Sequence, residues 1–180
     1  MSGFEAELRA RDPDRWLSSR FVADAGERAR LEALYLLDLE WAKAAAQPNS
    51  LAANIRLAWW TEALERFVAG GGADHPALVA LGRDAAEAVQ PTLIAALDAY
   101  ADGQTDSGRR RVEGAAIRLL DPGSDLEHPS VRAFPAIAHR TLEPLYAAGR
   151  TPGEVEKRLR ILWAVLTGRL KLPHPSTSSG

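Results

Sequence analysis

Two consecutive predicted helices of this 180-residue chain each carry a charged side chain where an apolar one is expected. At 100° per residue, Asp38 lies within the apolar arc of the first helix, and Arg56 lies at the centre of the apolar stripe of the second. A buried guanidinium keeps its proton and needs an acceptor, and a buried carboxylate is also costly without a partner. The sequence therefore predicts that Asp38 and Arg56 pair between the two helices.

A second interpretation of Arg56 is that its aliphatic stem packs on the core while its guanidinium reaches water. On the same helical wheel, Trp60 falls beside Arg56 and Trp59 lies slightly further out. Glu40 lies at the edge of the apolar arc of the preceding helix. The candidate buried polar or ligand-facing residues are therefore Asp38, Glu40, Arg56, Trp59 and Trp60.

Start and stop signals place these residues on two long helices. Asp24 and Glu27 have the spacing of a capping box, which opens a helix that runs to about Ala46. A short segment with Pro48 separates this helix from the next, which ends at the glycine run 70–72. Because the connection is short, we expect the two helices to be antiparallel neighbours.

The rest of the chain also carries helix signals, and no alternating strand pattern competes with them. Further helices are predicted to begin near Asp12, Asp74, Pro91, Asp106, His128 (with a kink at Pro144) and Thr151. The sequence predicts an all-α fold, with one helical domain over residues 1–172 and a disordered tail over residues 173–180.

The last predicted helix, which runs to Leu170, combines an apolar stripe with basic residues. The apolar stripe consists of Val155, Leu159, Leu162, Trp163 and Leu166. The candidate surface contact consists of Lys157, Arg158 and Arg160. These cations fit either a solvated face near the negative end of the helix dipole or a surface that touches anionic lipid or a partner.

Composition limits the classes of function. The formal net charge is −2, from 22 basic and 24 acidic residues, so nothing points to nucleic acid. The chain has no cysteine, and its four histidines lack metal-ligand spacing. No apolar run reaches the length of a membrane span, and the N-terminus lacks the apolar core of a secretory signal. We expect a cytoplasmic protein, with peripheral attachment to the inner membrane as an alternative.

Four segments resemble motifs of the squalene/phytoene synthase family. Residues 14–19 (DRWLSS) resemble its D-R-Y-L-S-S entry, and residues 34–40 (LYLLDLE) resemble its L-Y-A-F-N-x-E stretch. Residues 55–65 (IRLAWWTEALE) resemble I-R-L-Q-W-W-R-D-A-L-E, the most specific match, and residues 75–78 (HPAL) resemble the following H-P-V-x-x-A-L. The resemblance covers about residues 12–82 and implies a reduced isoprenoid-synthase-type fold.

The resemblance fails at the residues that active family members use to bind metal. Those members join two prenyl diphosphates head to head and hold Mg²⁺ with two aspartate-rich motifs. The aspartate positions of the first motif fall on Ala42 and Ala46 of this chain, with Lys43 between them. The second motif is not found. The chain is thus more similar to a non-catalytic branch, which includes a mitochondrial complex I assembly factor and short bacterial relatives.

This resemblance implies a non-catalytic binding or assembly role, without a cofactor, for a partner protein or an isoprenoid-like ligand. The alternative is a prenyltransferase of isoprenoid (squalene/phytoene) biosynthesis with a rearranged active site, which would require Mg²⁺. A purely structural or regulatory helical protein is a third hypothesis. Fold resemblance alone does not identify the ligand or the partner.

Overall fold

The computed structural model describes residues 3–170, which form nine α-helices and two 3₁₀ turns, with no strand among them. The helices are α1 (Gly3–Arg11), α2 (Pro13–Ser19), α3 (Ala25–Ala45), α4 (Ser50–Val68), α5 (Pro76–Leu81), α6 (Arg83–Ala101), α7 (Thr105–Leu120), α8 (Glu143–Ala147) and α9 (Glu154–Thr167). The 3₁₀ turns are Phe134–Ala136 and Ala138–Leu142. The prediction of an all-α fold is confirmed. The tail predicted for residues 173–180 lies outside the described residues.

Side-chain caps begin helices α2, α3 and α4 where the sequence predicts helix starts. Asp12 accepts a hydrogen bond from the backbone N–H of Arg15 at 3.0 Å and begins α2. Asp24 accepts one from the N–H of Glu27 at 2.8 Å and begins α3. Asn49 caps α4 in the same way. Each cap satisfies backbone donors that the first helical turn would otherwise leave unpaired.

Helix α3 is the central element of the fold. Its residues 31–38 are all buried, and the helix packs against α1, α2, α4, α5, α6 and α7. Helices α6 and α7 pack against each other over the most extensive contact in the fold, and Gly108 of α7 lies against the ring of Tyr100 of α6. A Cβ at position 108 would lie 2.7 Å from Tyr100 Cε2, so only glycine permits this approach. The packing of α7 thereby holds Tyr100 in place beside α3.

Two predicted helix boundaries are wrong. The helix expected from Asp74 to about Val89 is divided at Gly82, which has φ of 81° and ends α5. This left-handed conformation favours glycine and stops a helix. Pro91 does not begin a helix but lies inside α6, since α6 already begins at Arg83.

The helix predicted from His128 with a kink at Pro144 is also wrong. Residues 128–133 are not helical, and the 3₁₀ turns precede the five-residue α8. Prolines at positions 129, 135 and 144 each lack an N–H donor, which prevents a continuous α-helical ladder here. No helix within residues 3–170 is long and apolar enough to cross a membrane.

Candidate ligand-binding groove

A large surface groove lies between the end of α3 and the first half of α4. It has a volume of about 860 Å³, and His75, immediately before α5, also contributes to it. Its lining residues are Glu40, Lys43, Gln47, Ala52, Ile55, Arg56, Trp59, Trp60 and His75. The volume falls within the range of small-molecule sites in proteins. Four of the five candidate residues predicted from the sequence thus share one groove, and Asp38 is not among its lining residues.

The groove is open because the two halves of α4 differ in burial. In the second half, Ala63, Leu64 and Phe67 are buried, and α4 packs against α6. In the first half, one narrow stripe, Ala53, Leu57 and Trp60, faces the core. Residues 54–56 on this half are exposed, as is Lys43 on the facing end of α3. The helix hairpin therefore leaves a solvent-accessible space near its connecting loop.

Aromatic rings form the apolar part of the groove. Trp60 is buried and contacts Trp41 of α3, Trp59 and His75 edge to face, with ring centroids 6.3, 5.0 and 4.9 Å away. Trp59 is 40% exposed, so an aromatic surface faces solvent inside the groove. Such a surface can pack against an apolar ligand without rearrangement of the core.

The groove carries uncompensated positive charge. Glu40, its only lining carboxylate, is 2.5 Å from Arg11 Nη1, which also donates to Glu7 at 2.8 Å. The ammonium of Lys43 and the guanidinium of Arg56 have no hydrogen-bond or ion-pair partner within residues 3–170. An anionic group in the groove would therefore meet two unpaired cations.

The predicted pair of Asp38 and Arg56 does not form. Arg56 is exposed in the groove, whereas Asp38 is fully buried, and Arg15 Nη1 donates to its Oδ2 at 2.5 Å. The hydroxyl of Tyr100 donates to Asp38 Oδ1, also at 2.5 Å. The buried carboxylate takes its hydrogen-bond partners from α2 and α6, and Arg109 of α7 lies 3.8 Å from its Oδ2. None of these partners comes from α4, so the solvated interpretation of Arg56 agrees with the structure.

Arg15 joins Asp38 to a second buried carboxylate, Glu113 of α7. Arg15 Nη2 is 3.8 Å from Glu113 Oε1, and His139 Nε2 is 3.3 Å from the same oxygen. Burial alone would raise the pKa of Glu113, but the hydrogen bond with His139 and the charges of His139 and Arg15 outweigh it and lower that pKa. Sequence analysis missed Arg15 as a site residue, although it lies in the motif-like segment 14–19.

We expect this buried cluster to weaken the fold at high pH. Tyr35 belongs to this cluster, since the guanidinium carbon of Arg15 lies 5.0 Å from the centre of its ring. Burial raises the pKa of Tyr35 and of Tyr100, and the carboxylate of Asp38 adds to the shift at Tyr100. Above about pH 10 the unfolded chain loses phenolic protons that the folded protein keeps, so the free energy of unfolding falls as pH rises. Urea unfolding between pH 8 and pH 11 measures this slope. Tyr100→Phe should make the slope shallower, and parallel curves for the two proteins would contradict the prediction.

The predicted surface contact on α9 is only partly available. Lys157 Nζ lies 2.9 Å from Asp14 Oδ1 and is largely covered, and Arg160 Nε donates to Glu156 at 2.8 Å. Arg158 is exposed, and no ion-pair partner for it occurs within residues 3–170. Of the three predicted contact residues, only Arg158 offers a free charge.

The apolar stripe identified on α9 mostly faces solvent. Its exposed members are Val155, Leu159, Leu162 and Leu166, whereas Trp163 is partly buried against the core. The core side of the helix instead presents Ile161 and Ala164. A helical wheel locates apolar stripes without showing which stripe packs on the domain.

No protein-family profile, curated protein or solved structure matches this chain. Within residues 3–170, no group of three or more histidine, aspartate or glutamate side chains is arranged to hold a metal ion. The groove combines unpaired cations with an exposed indole, an arrangement that could accept an anionic group beside an apolar one.

Proposed function

We propose that the chain is a non-catalytic binding protein similar to the squalene/phytoene synthase family, and that its groove holds an isoprenoid-like ligand with an anionic head group. One observation carries this proposal. Two unpaired cations, Lys43 and Arg56, line the same groove as the exposed ring of Trp59. A ligand with an apolar chain and a phosphate or diphosphate head matches both halves of this lining.

The head group is expected to contact the cations directly. Glu40 would repel an anion, but its charge is offset by Arg11 at 2.5 Å. Lys43 and Arg56 can both donate charge-assisted hydrogen bonds to phosphate oxygens. In active members of the family this charge is neutralised by Mg²⁺ held on carboxylates, and here a lysine lies between the two alanines at those positions. Binding should therefore proceed without a divalent metal ion.

The apolar chain is expected to lie along Ile55 and Trp59. Ile55 is 63% exposed, and covering it would remove apolar surface from water. The buried contacts of Trp60 with Trp41 and His75 support the exposed ring from beneath. These packed rings lower the entropy cost of binding, because few side chains have to be ordered when a ligand binds.

Titration with farnesyl diphosphate in EDTA tests the proposal. We expect a saturable change in tryptophan fluorescence, because Trp59 lies at the ligand surface. The double variant Lys43→Gln with Arg56→Gln should weaken binding by about tenfold or more, since two partly screened charge contacts are lost. Farnesol should bind more weakly than farnesyl diphosphate to the unchanged protein, and inorganic diphosphate should also bind more weakly.

Arg30→Gln provides the matched control, because Arg30 is an exposed arginine of α3 that does not line the groove. Its affinity should equal that of the unchanged protein. Equal affinity for the double variant, or no saturable binding, would refute the proposed site. Formation of a thirty-carbon cyclopropyl diphosphate from two molecules of farnesyl diphosphate after addition of Mg²⁺, with release of one diphosphate, would instead support the prenyltransferase alternative.

A further inference from the structure

Four large apolar side chains on the outer face of α9 remain uncovered. Val155, Leu159, Leu162 and Leu166 are 72%, 61%, 38% and 69% exposed. We call these four residues the α9 seam. They lie next to one another in a shallow surface depression with few polar atoms. Contiguous apolar exposure of this kind marks an interaction surface more often than scattered single residues do.

The opposite face of α9 fixes the helix to the domain. Ile161 and Ala164 are fully buried, and α9 packs against the second 3₁₀ turn and α2. Lys157 Nζ is 2.9 Å from Asp14 Oδ1, which adds an ion pair at the same face. Rotation of α9 to bury the seam would break these contacts. The seam must therefore be covered by something outside the described fold, or remain in water.

The spacing of the seam is that of a helix-pairing surface. Steps of four, three and four residues separate its members, which is the a/d pattern of a two-helix coiled coil. The stripe is narrow, since exposed Arg158 directly precedes Leu159 and Glu156 directly follows Val155. A narrow a/d stripe fits a second helix better than a wide surface such as a bilayer.

The charges along α9 favour antiparallel pairing with an identical helix. Glu154 lies in the first turn, and Arg169 lies just after the last turn, where no partner for it occurs within residues 3–170. If a two-fold axis passes between Leu159 and Leu162, Val155 lies level with Leu166 of the second copy. Glu154 then lies within about one helical turn of the second copy's Arg169. Antiparallel pairing thus brings the acidic start of each helix close to the basic end of the other, twice in a two-fold dimer.

Few cations near the seam remain free for lipid head groups. Arg150 and Arg160 are both within 2.8 Å of Glu156, and Lys157 is held by Asp14. Lipid-binding basic clusters use about four to eight lysines or arginines. Within residues 3–170, the free cations near the seam are Arg158 and Arg169, and beside the exposed carboxylate of Glu154 they do not provide such a cluster.

We propose that the α9 seam is a self-association surface, on which α9 of a second copy of this chain packs antiparallel to form a two-fold dimer. The short helix does not need to be stable alone, because each copy is already held on its own domain. The proposal is independent of the ligand-binding groove, which lies on α3 and α4.

Sedimentation velocity of the full chain over a range of concentrations tests the dimer. We expect reversible dimerisation, and Leu159→Gln with Leu162→Gln should raise the dimer dissociation constant by at least about tenfold, because both central contacts are lost. Val79→Gln is the control, since Val79 is 65% exposed on α5 outside the seam. It should leave the dissociation constant unchanged. Circular dichroism should show both variants folded, because all three side chains are exposed.

Cysteine cross-linking distinguishes the direction of pairing, because the chain has no natural cysteine. Position 159 of one copy should face position 162 of the other in an antiparallel pair. A mixture of Leu159→Cys and Leu162→Cys chains should therefore form the mixed disulfide in preference to either homodimer. A preference for the two homodimers would indicate parallel pairing and overturn the proposed geometry.

Two other results would overturn self-association altogether. One is a monomer at every concentration up to the solubility limit. The other is flotation of monomers with phosphatidylserine-containing vesicles that is lost in Leu159→Gln with Leu162→Gln, which would make lipid the occupant of the seam. Retained dimerisation of this double variant would place the interface elsewhere on the protein.

Discussion

Asp38→Ala should lower the free energy of unfolding by about 3–5 kcal/mol, because it leaves the Arg15 guanidinium buried without its main acceptor. Arg15 is 2% exposed, and its Nη1 donates to Asp38 at 2.5 Å. The substitution also removes the acceptor of the buried Tyr100 hydroxyl. Urea unfolding followed by circular dichroism measures the change at neutral pH. A cost below about 1 kcal/mol, typical of an exposed ion pair, would show that the pair is solvated.

A double-mutant cycle separates the pair from the packing around it. Arg15→Ala should also cost about 3–5 kcal/mol, and Arg15→Ala with Asp38→Ala should cost less than the sum. Arg15→Met with Asp38→Leu fills the same space with apolar groups and should recover part of the lost stability. Full recovery is not expected, because Tyr100 still lacks its acceptor and Glu113 loses the charge of Arg15. Additive losses in the cycle would mean that the two side chains act independently, against the observed geometry.

The inward position of Asp38 could be predicted from sequence, but its partner could not. The wheel of α3 placed this carboxylate within the apolar arc, and it is fully buried. Arg15, its partner, lies on a seven-residue helix, too short for periodicity to define a buried face. Arg56 on the adjacent α4 was therefore predicted as the ion-pair partner of Asp38. The distance along the chain does not show which helix packs beside Asp38, and here that helix is α2 rather than the adjacent α4.

The groove was predictable in part, because its residues lie at the ends of two long helices joined by a short loop. Glu40, Arg56, Trp59 and Trp60 were candidates on periodicity alone, and all four line it. His75 was interpreted as part of a helix start and of the motif-like segment 75–78, and it does cap α5. Its contact with Trp60 arises from tertiary packing, which the local sequence does not encode.

The outer face of α9 shows the limit of amphipathic analysis. Both Leu159 and Ile161 lie on apolar stripes of the same helix, and only Ile161 packs on the domain. A wheel gives the two stripes similar weight, because it contains no information about the neighbouring elements. The orientation follows from burial of Ile161 and Ala164 against the second 3₁₀ turn and α2, and the ion pair of Lys157 with Asp14 adds to it. These contacts join residues that are distant in sequence.

Trp41→Ala is expected to be the second costly change, with a loss of about 3–5 kcal/mol in the free energy of unfolding. Trp41 is fully buried on α3, and its ring contacts Trp60 beneath the groove. The cavity left by its removal should also loosen the support of Trp59 and weaken binding of farnesyl diphosphate. Urea unfolding gives the stability change, and the fluorescence titration gives the affinity.

Trp41→Phe is the matched control for this change. The indole N–H of Trp41 is buried and finds no acceptor within residues 3–170, so its replacement removes an unsatisfied donor while keeping an aromatic ring. This gain offsets part of the smaller volume of phenylalanine, and the variant should lose less than about half as much stability as Trp41→Ala. Equal losses in the two variants would contradict this prediction, because they would show that a phenyl ring does not replace the packing of the indole. In that case the ring contact with Trp60 would not be the main role of Trp41.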